Sequence, residues 1–337
     1  STDWPPMDQK FGHPFLPSLR DEGGHEVIQL SEIEREALDY AYRSRAQNTI
    51  RAYRADWAHF SEWCRTNNRD PLPAAPESVA LYVTFLANRG NRRTTTIARR
   101  LVTISEVHRS RGFETPVKHA AVRVVWDGIK RTFGFTPRGK LPTLLSDIQE
   151  MLAALPDSLL GIRDRALILI GFAGAMRRSE LVRLDVTDIV SSPQGLSITI
   201  RFSKTDQEGR GRTVGIPFGE RRETCPVRAY REWIEQGGIT HGPVFRAVSR
   251  TGRVSPRRLT DKTVARVVKR TLVLASRDST NYAGHSLRAG LATQAALCGV
   301  PERAIQDQTG HRNLMMLRRY IRAGNLFIDN AAGKIGL

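Results

Sequence analysis

The chain has only three cysteines in 337 residues, Cys64, Cys225 and Cys298. They are odd in number and far apart, which excludes a disulfide framework and a cysteine zinc site and suits a reducing compartment. No run of 18 or more apolar residues occurs, so no membrane-spanning helix is expected. The opening STDWPPMDQKFGHPF has no basic stretch followed by an apolar one, so no secretory leader is expected. HExxH and calcium-loop patterns are absent, and EGRGRTVG at 208–215 misses the third glycine of a dinucleotide fingerprint. Acidic residues are scarce as well: 34 Asp and Glu stand against 52 Lys and Arg, a net charge of +18. So large an excess attracts a polyanion, nucleic acid or an anionic membrane.

What is present is helical periodicity. Residues 1–28 carry prolines and glycines with little pattern and are expected to be a disordered tail. A helical region is expected over 29–136. It starts with SEIEREALDYAYRS at 31–44, where Ser31 and Glu34 form a capping box. Ile50, Tyr53, Trp57, Phe60 and Cys64 then recur at steps of three and four. Helices are also expected over 75–90, over 92–112 with Ile97, Leu101, Ile104 and Val107 inward, and over 119–134. The prolines of FTPRGKLPTLL predict a basic linker at 137–142, with a second domain over 143–337. In that domain 159–175 is apolar on most sides and predicts a central buried helix. LSITIRF and RTVGIPF predict a two-stranded hairpin among further helices.

Arg51 and Arg54 flank the apolar stripe of the first of these regions, and Arg92, Arg93, Arg99 and Arg100 surround Thr95 in another. With Arg138 and Lys140 in the linker they form the expected DNA-facing set. Arginine forks onto guanine and phosphate, and threonine reaches phosphate or a thymine methyl.

The C-terminal stretch carries the chemistry. GHSLRAG at 284–290, TGH at 309–311 and RRYIR at 318–322 gather histidines, arginines and one tyrosine. This is the inventory for binding a phosphate and attacking it with a phenol. Attack on a phosphodiester needs a nucleophile, a proton acceptor, a proton donor to the leaving oxygen, and cations around the non-bridging oxygens. Each residue alone has a plainer reading. Tyr320 alone is a half-buried tyrosine, Lys204 a solvated turn lysine, His311 a satisfied core histidine, and Glu180 a helix ion pair worth about 0.2–0.5 kcal/mol. Arg177 and Arg178 are adjacent, and these residues alone do not choose between them.

The order and spacing resemble the tyrosine site-specific recombinases of the phage integrase family, most of all their Cre-like members. Arg177 and Glu180 in RRSEL, Lys204 in RFSKTD, His285 and Arg288 in GHSLR, His311 in TGH and Tyr320 nine positions later match the family's motifs in sequence. NTIRAYRADWAHFSEWC and LYVTFLANRG resemble its N-terminal DNA-binding region, so the likeness spans about residues 30 to 337. The E-L pair after Arg178 fits the family only when Arg177 is the catalytic arginine.

The resemblance implies a mostly α fold built as a two-domain C-shaped DNA clamp, with an N-terminal helical core-binding domain and an α+β catalytic domain holding a small antiparallel sheet. It implies that Arg177 and Arg288 grip the scissile phosphate with His311 as a further donor. Tyr320 attacks to give a 3′-phosphotyrosyl bond, Lys204 protonates the leaving 5′ oxygen, His285 moves the tyrosine proton, and Glu180 orients its neighbours. No cofactor, metal or ATP is required. The partners implied are double-stranded recombination sites and further copies of the chain, a dimer on each site and a tetramer at synapsis, with no membrane and a cytoplasmic, nucleoid-associated location. Leu326, Phe327 and Ile328 are expected to dock on a neighbouring protomer. The alternatives are a repressor-like DNA-binding protein that keeps the fold, and a telomere resolvase or topoisomerase-like enzyme with the same cleavage step.

Overall fold

The computed structural model describes residues 47–90, 93–135, 140–201, 211–311 and 314–324. The expected tail, the 31–44 helix with its Ser31–Glu34 box, Arg92, Arg138, Lys204 and the Leu326–Ile328 patch lie outside the described residues. The chain divides into two compact units, Ser1–Arg138 and Gly139–Leu337. Among the described residues it is mostly helical, with small antiparallel sheets in the second unit.

In the first unit α1 (Gln47–Thr66), α2 (Pro76–Asn88), α3 (Thr94–Ser110) and α4 (Ala120–Phe133) surround one core. The three-four spacing does what it predicts: Trp57, Phe60 and Cys64 of α1 meet Val79, Tyr82, Val83 and Leu86 of α2 and Ile97, Leu101, Ile104 and Val107 of α3. Tyr53 stays half-buried at the edge of the stripe. Pro76 opens α2, where its missing N–H costs no hydrogen bond. Gly134 ends α4 at φ 72°, a left-handed turn that favours glycine.

Arg100 departs from its expected place on the DNA-facing surface. It is 7% exposed and donates to the Tyr82 hydroxyl at 2.7 Å, with Asp56 3.5 Å from its Nε. The reason is positional: three residues after Ile97 and four before Ile104, it falls on the inward face of α3.

The second unit is built on α6 (Leu159–Ala173), central and buried as expected, with Ala166 to Ile170 all at 3% exposure or less. Around it lie α5 (Leu145–Ala153), α7 (Arg178–Arg183), α8 (Pro226–Gln236), α9 (Asp261–Leu274) and α10 (Ser286–Leu297). Then come α11 (Glu302–Thr309) and α12 (Leu314–Gly324). The expected hairpin forms two strands of a three-stranded sheet, β1 (Ile189–Ser191), β2 (Gly195–Ile200) and β3 (Arg212–Pro217), with β2 in the middle and Ile200 paired with Arg212. A separate hairpin, β4 (Arg246–Val248) and β5 (Val254–Arg258), is also present. Neither β1 nor this second hairpin is legible in the sequence. Strands of three to five residues are too short to show alternation, and arginines occupy much of β4 and β5.

Gly290 shows how the unit is pinned. A β-carbon there would stand 2.0 Å from the Thr143 carbonyl oxygen, so only glycine lets α10 lie against residues 141–143. Thr143 N–H donates to Ser286 O at 3.0 Å, and Leu141 N–H to Asn281 O at 2.9 Å. This fixes the start of the helix that carries Arg288.

Candidate active site

Three local devices set up the site. The first is the end of α6. Ala175 adopts φ 47°, a left-handed conformation that a non-glycine residue takes only where its surroundings hold it. The turn aims the Ala175 carbonyl at Arg288, whose Nη1 donates to it at 2.7 Å across 113 residues of chain.

The second is the N-terminus of α7. Arg177 donates its backbone N–H to Glu180 Oε2 at 2.9 Å and its Nη1 to Oε1 at 2.5 Å. Glu180 is 2% exposed. Burial would push its carboxyl up, but the Arg177 N–H bond, the Arg177 guanidinium and Arg212 together hold it below the usual range, so it stays ionised. The neighbouring Arg178 turns elsewhere. It covers Gly284, where a β-carbon would collide with its stem, and faces Asp261 at 3.7 Å. The geometry therefore separates the two adjacent arginines that the residues alone leave tied.

The third is α12, whose Tyr320 ring rests half-buried against a small cluster of Ala292, Ala296, Ile305 and Leu317. Its hydroxyl is 3.1 Å from His285 Nε2, and its ring centre is 5.9 Å from that of His311.

Electrostatics decide the protonation states. Arg288 is 1% exposed, and desolvation together with Arg177 and Arg212 pushes it down to about 9, with Glu180 opposing. It remains a cation at neutral pH, and its buried Nη2 has no hydrogen-bond partner among the described residues. Desolvation, then Arg288, Arg177 and Arg178, lowers His285, although the residue as a whole is exposed. His285 is therefore neutral at pH 7 and able to take the proton of the Tyr320 phenol. Desolvation, Arg288 and Arg177 drive His311 down to about 3.

The His311 tautomer follows from its neighbour. Thr309 Oγ1 lies 2.7 Å from the Ile305 carbonyl, which only accepts, so the single hydroxyl hydrogen goes there. His311 Nδ1, 2.7 Å from the same Oγ1, must then donate its own hydrogen. The neutral ring thus presents a lone pair at Nε2. It becomes a phosphate donor only on gaining a proton.

The structure brings Arg177, Glu180, His285, Arg288, His311 and Tyr320 together. Two groups that sequence reasoning missed join them. Arg212, first residue of β3, faces Glu180 Oε2 at 3.5 Å and donates from Nη1 to Gln308 O at 2.9 Å. Gln308 donates to the carbonyls of Ala173 and Gly215 at 2.8 and 3.1 Å. The strand pattern gives no sign of the first, and an exposed-looking turn of α11 hides the second.

The expected DNA-facing residues scatter. Arg51 and Arg93 are exposed, and Arg54 and Thr95 are half-buried. Arg99 is exposed but faces Asp56 at 3.2 Å, and Arg100 is buried. Lys140 is exposed, with its Nζ donating to Thr280 O at 2.9 Å. Among the described residues no group of three or more His, Cys, Asp or Glu side chains could hold a metal ion, and no helix is long and apolar enough to cross a membrane.

Comparisons with known proteins agree on one family. Residues 144–325 match the phage integrase family model, and residues 40–110 match the phage integrase N-terminal SAM-like domain. An integrase/recombinase XerD homolog of Selenomonas ruminantium is 41% identical over 298 residues, covering 87% of this chain and 86% of its own. The recombinase Cre of Escherichia phage P1 is 24% identical over 329 residues, covering 92% and 93%. Among solved structures, a XerH site-specific recombinase bound to palindromic difH substrate in a post-cleavage complex superposes with a TM-score of 0.61 at 17% identity, covering 89% of this chain and 84% of that one.

Proposed function

The chain belongs to the phage integrase family, and from that premise we propose how its own residues carry out the reaction. The protein is a tyrosine site-specific recombinase: it cleaves and rejoins DNA strands through a tyrosine.

The observation that carries the residue assignment is the Tyr320 hydroxyl at 3.1 Å from a neutral His285 Nε2, within the field of the buried Arg288. The scissile phosphate enters between Arg177 and Arg288, and the unpartnered Nη2 of Arg288 supplies a ready N–H for a non-bridging oxygen. Tyr320 Oη attacks phosphorus and its proton passes to His285 Nε2. The bond to the 5′ oxygen breaks, Lys204 delivers a proton to that oxygen, and a 3′-phosphotyrosyl ester remains. Attack by a 5′ hydroxyl of the partner strand reverses the step, so the bond energy stays in the ester. Glu180 holds Arg177 in place and does not touch DNA. The enzyme acts on inverted-repeat core sites as a dimer on each and a tetramer at synapsis, in the cytoplasm on nucleoid DNA. Residues 29–136 serve as the core-type DNA-binding domain, 137–142 as the linker and 143–337 as the catalytic domain. Arg51, Arg54, Arg92, Arg93, Thr95, Arg99, Arg138 and Lys140 contribute to the DNA-facing surface.

A nicked recognition duplex, digested after reaction and examined by mass spectrometry, should yield a peptide containing Tyr320 with a nucleotide on its phenol. An adduct on another residue would overturn the assignment.

Two further results are expected. Affinity should fall by about 10³–10⁵ between roughly 50 and 200 mM salt if about six to ten phosphates are contacted. A flat salt response would remove the basic surface from the interface. Binding should also take up protons near pH 7. A phosphate offsets the guanidinium field that keeps His311 deprotonated, and only protonated His311 can donate from Nε2. Titration calorimetry in two buffers of different ionisation enthalpy measures this uptake, which His311→Gln should diminish. No uptake would mean that His311 stays neutral in the complex.

A further inference from the structure

The returning strand of the sheet places a third guanidinium beside the two that the family resemblance identifies. Arg212 begins β3, opposite Ile200, and its side chain runs inward instead of out to solvent. Its Nη2 faces the same Glu180 Oε2 that accepts the Arg177 backbone N–H. Its Nη1 bonds Gln308 O, on the last turn of α11. Its stem lies against Gly310, where φ is 63° and a β-carbon would stand 2.9 Å from both Cδ and Nε of Arg212. The chain therefore passes over this arginine just before His311, whose ring is held by Thr309, the residue between Gln308 and Gly310. Arg212 Nε and Nη2 are buried without a hydrogen-bond partner among the described residues.

We propose that Arg212 is a positioning residue for DNA strand cleavage, fixing Arg177 through Glu180 and His311 through the Gln308–Gly310 turn; this rests on the recombinase reading above. One rigid fork spans two otherwise separate halves of the phosphate site. It attracts Glu180 at Oε2, which leaves Oε1 to hold the Arg177 Nη1. It also ties the turn before His311 to the sheet. A lysine ammonium has the charge but lacks the planar fork needed to face Glu180 and bond Gln308 together. A buried ion pair by itself is weak grounds for stability, which makes a role in geometry the better account of an arginine with two unbonded nitrogens.

The test is a double-mutant cycle on a nicked trapping duplex, with single-turnover rates at saturating DNA. Arg212→Met should slow covalent adduct formation about tenfold or more while DNA affinity changes little, and Arg212→Lys should recover part of the rate. Glu180→Gln should also be slow, and the double variant should be faster than the product of the two losses, because the part of the Arg212 effect that reaches Arg177 runs through the Glu180 carboxylate. A purely structural role would lower the melting temperature and leave the rate of folded protein at the wild-type value; that result overturns the proposal, as does full additivity. If Arg212→Met does not fold, Arg212→Lys takes its place in the cycle, and a wild-type rate there overturns the proposal equally. Failure of the wild-type protein to form the adduct would instead sink the recombinase chemistry, so the two failures are distinct.

Discussion

Tyr320→Phe should bind its recognition duplex as tightly as the wild type and form no covalent adduct. The substitution removes one oxygen and leaves the ring against Ala292, Ala296, Ile305 and Leu317. Packing is therefore conserved, and the hydroxyl gives up its hydrogen bond with His285, at 3.1 Å. Water replacing the nucleophile would have to find the same line of attack without being held there, and the advantage of a fixed nucleophile is worth several powers of ten. Denaturing gels with a nicked duplex measure the result. An adduct that persists at wild-type level would place the nucleophile elsewhere.

Arg288→Met should separate activity from stability. Removing one preorganised charge-stabilising donor costs about 10²–10³ in rate, or about 2.7–4 kcal/mol, and cleavage should fall at least that far. The folded protein should melt no earlier than wild type. Arg288 is 1% exposed, its bond to the protein runs to a neutral carbonyl, and Arg177 and Arg212 both oppose its charge. Its folded-state pKa lies below the usual arginine value, so at neutral pH the folded state carries this cation at a cost that methionine removes. The Ala175 carbonyl left without its donor offsets part of the gain, at about 1–3 kcal/mol. Scanning calorimetry beside single-turnover cleavage checks both halves. A large drop in melting temperature with unchanged cleavage would make Arg288 structural.

Much of this was legible beforehand. The apolar stripes of α1 and α3, the burial of α6 with its mostly apolar surface, and the β2–β3 hairpin follow from local periodicity, which fixes which faces must leave water whatever they meet. The ordered set Arg177, Glu180, His285, Arg288, His311 and Tyr320 is also visible as residue types at intervals. Where the reading failed, the reason is local as well. The charge of Arg100 points to the surface, while its place between Ile97 and Ile104 sends it inward to Asp56 and Tyr82. The strands β1, β4 and β5 carry too few residues to show a period.

By itself, then, the sequence determined a mostly helical basic chain with a phenol, two imidazoles and several guanidinium groups available for phosphate chemistry. Only the tertiary structure turned Arg177 to Glu180 and Arg178 to Asp261, brought Arg212 against Glu180 and set which His311 nitrogen carries the proton. The physical reason is range. Periodicity acts over three or four residues, whereas Arg288 meets Ala175 across 113 positions, Arg212 meets Gln308 across 96 and His285 meets Tyr320 across 35. Charges and hydrogen bonds at such separations exist only once the chain has closed around them.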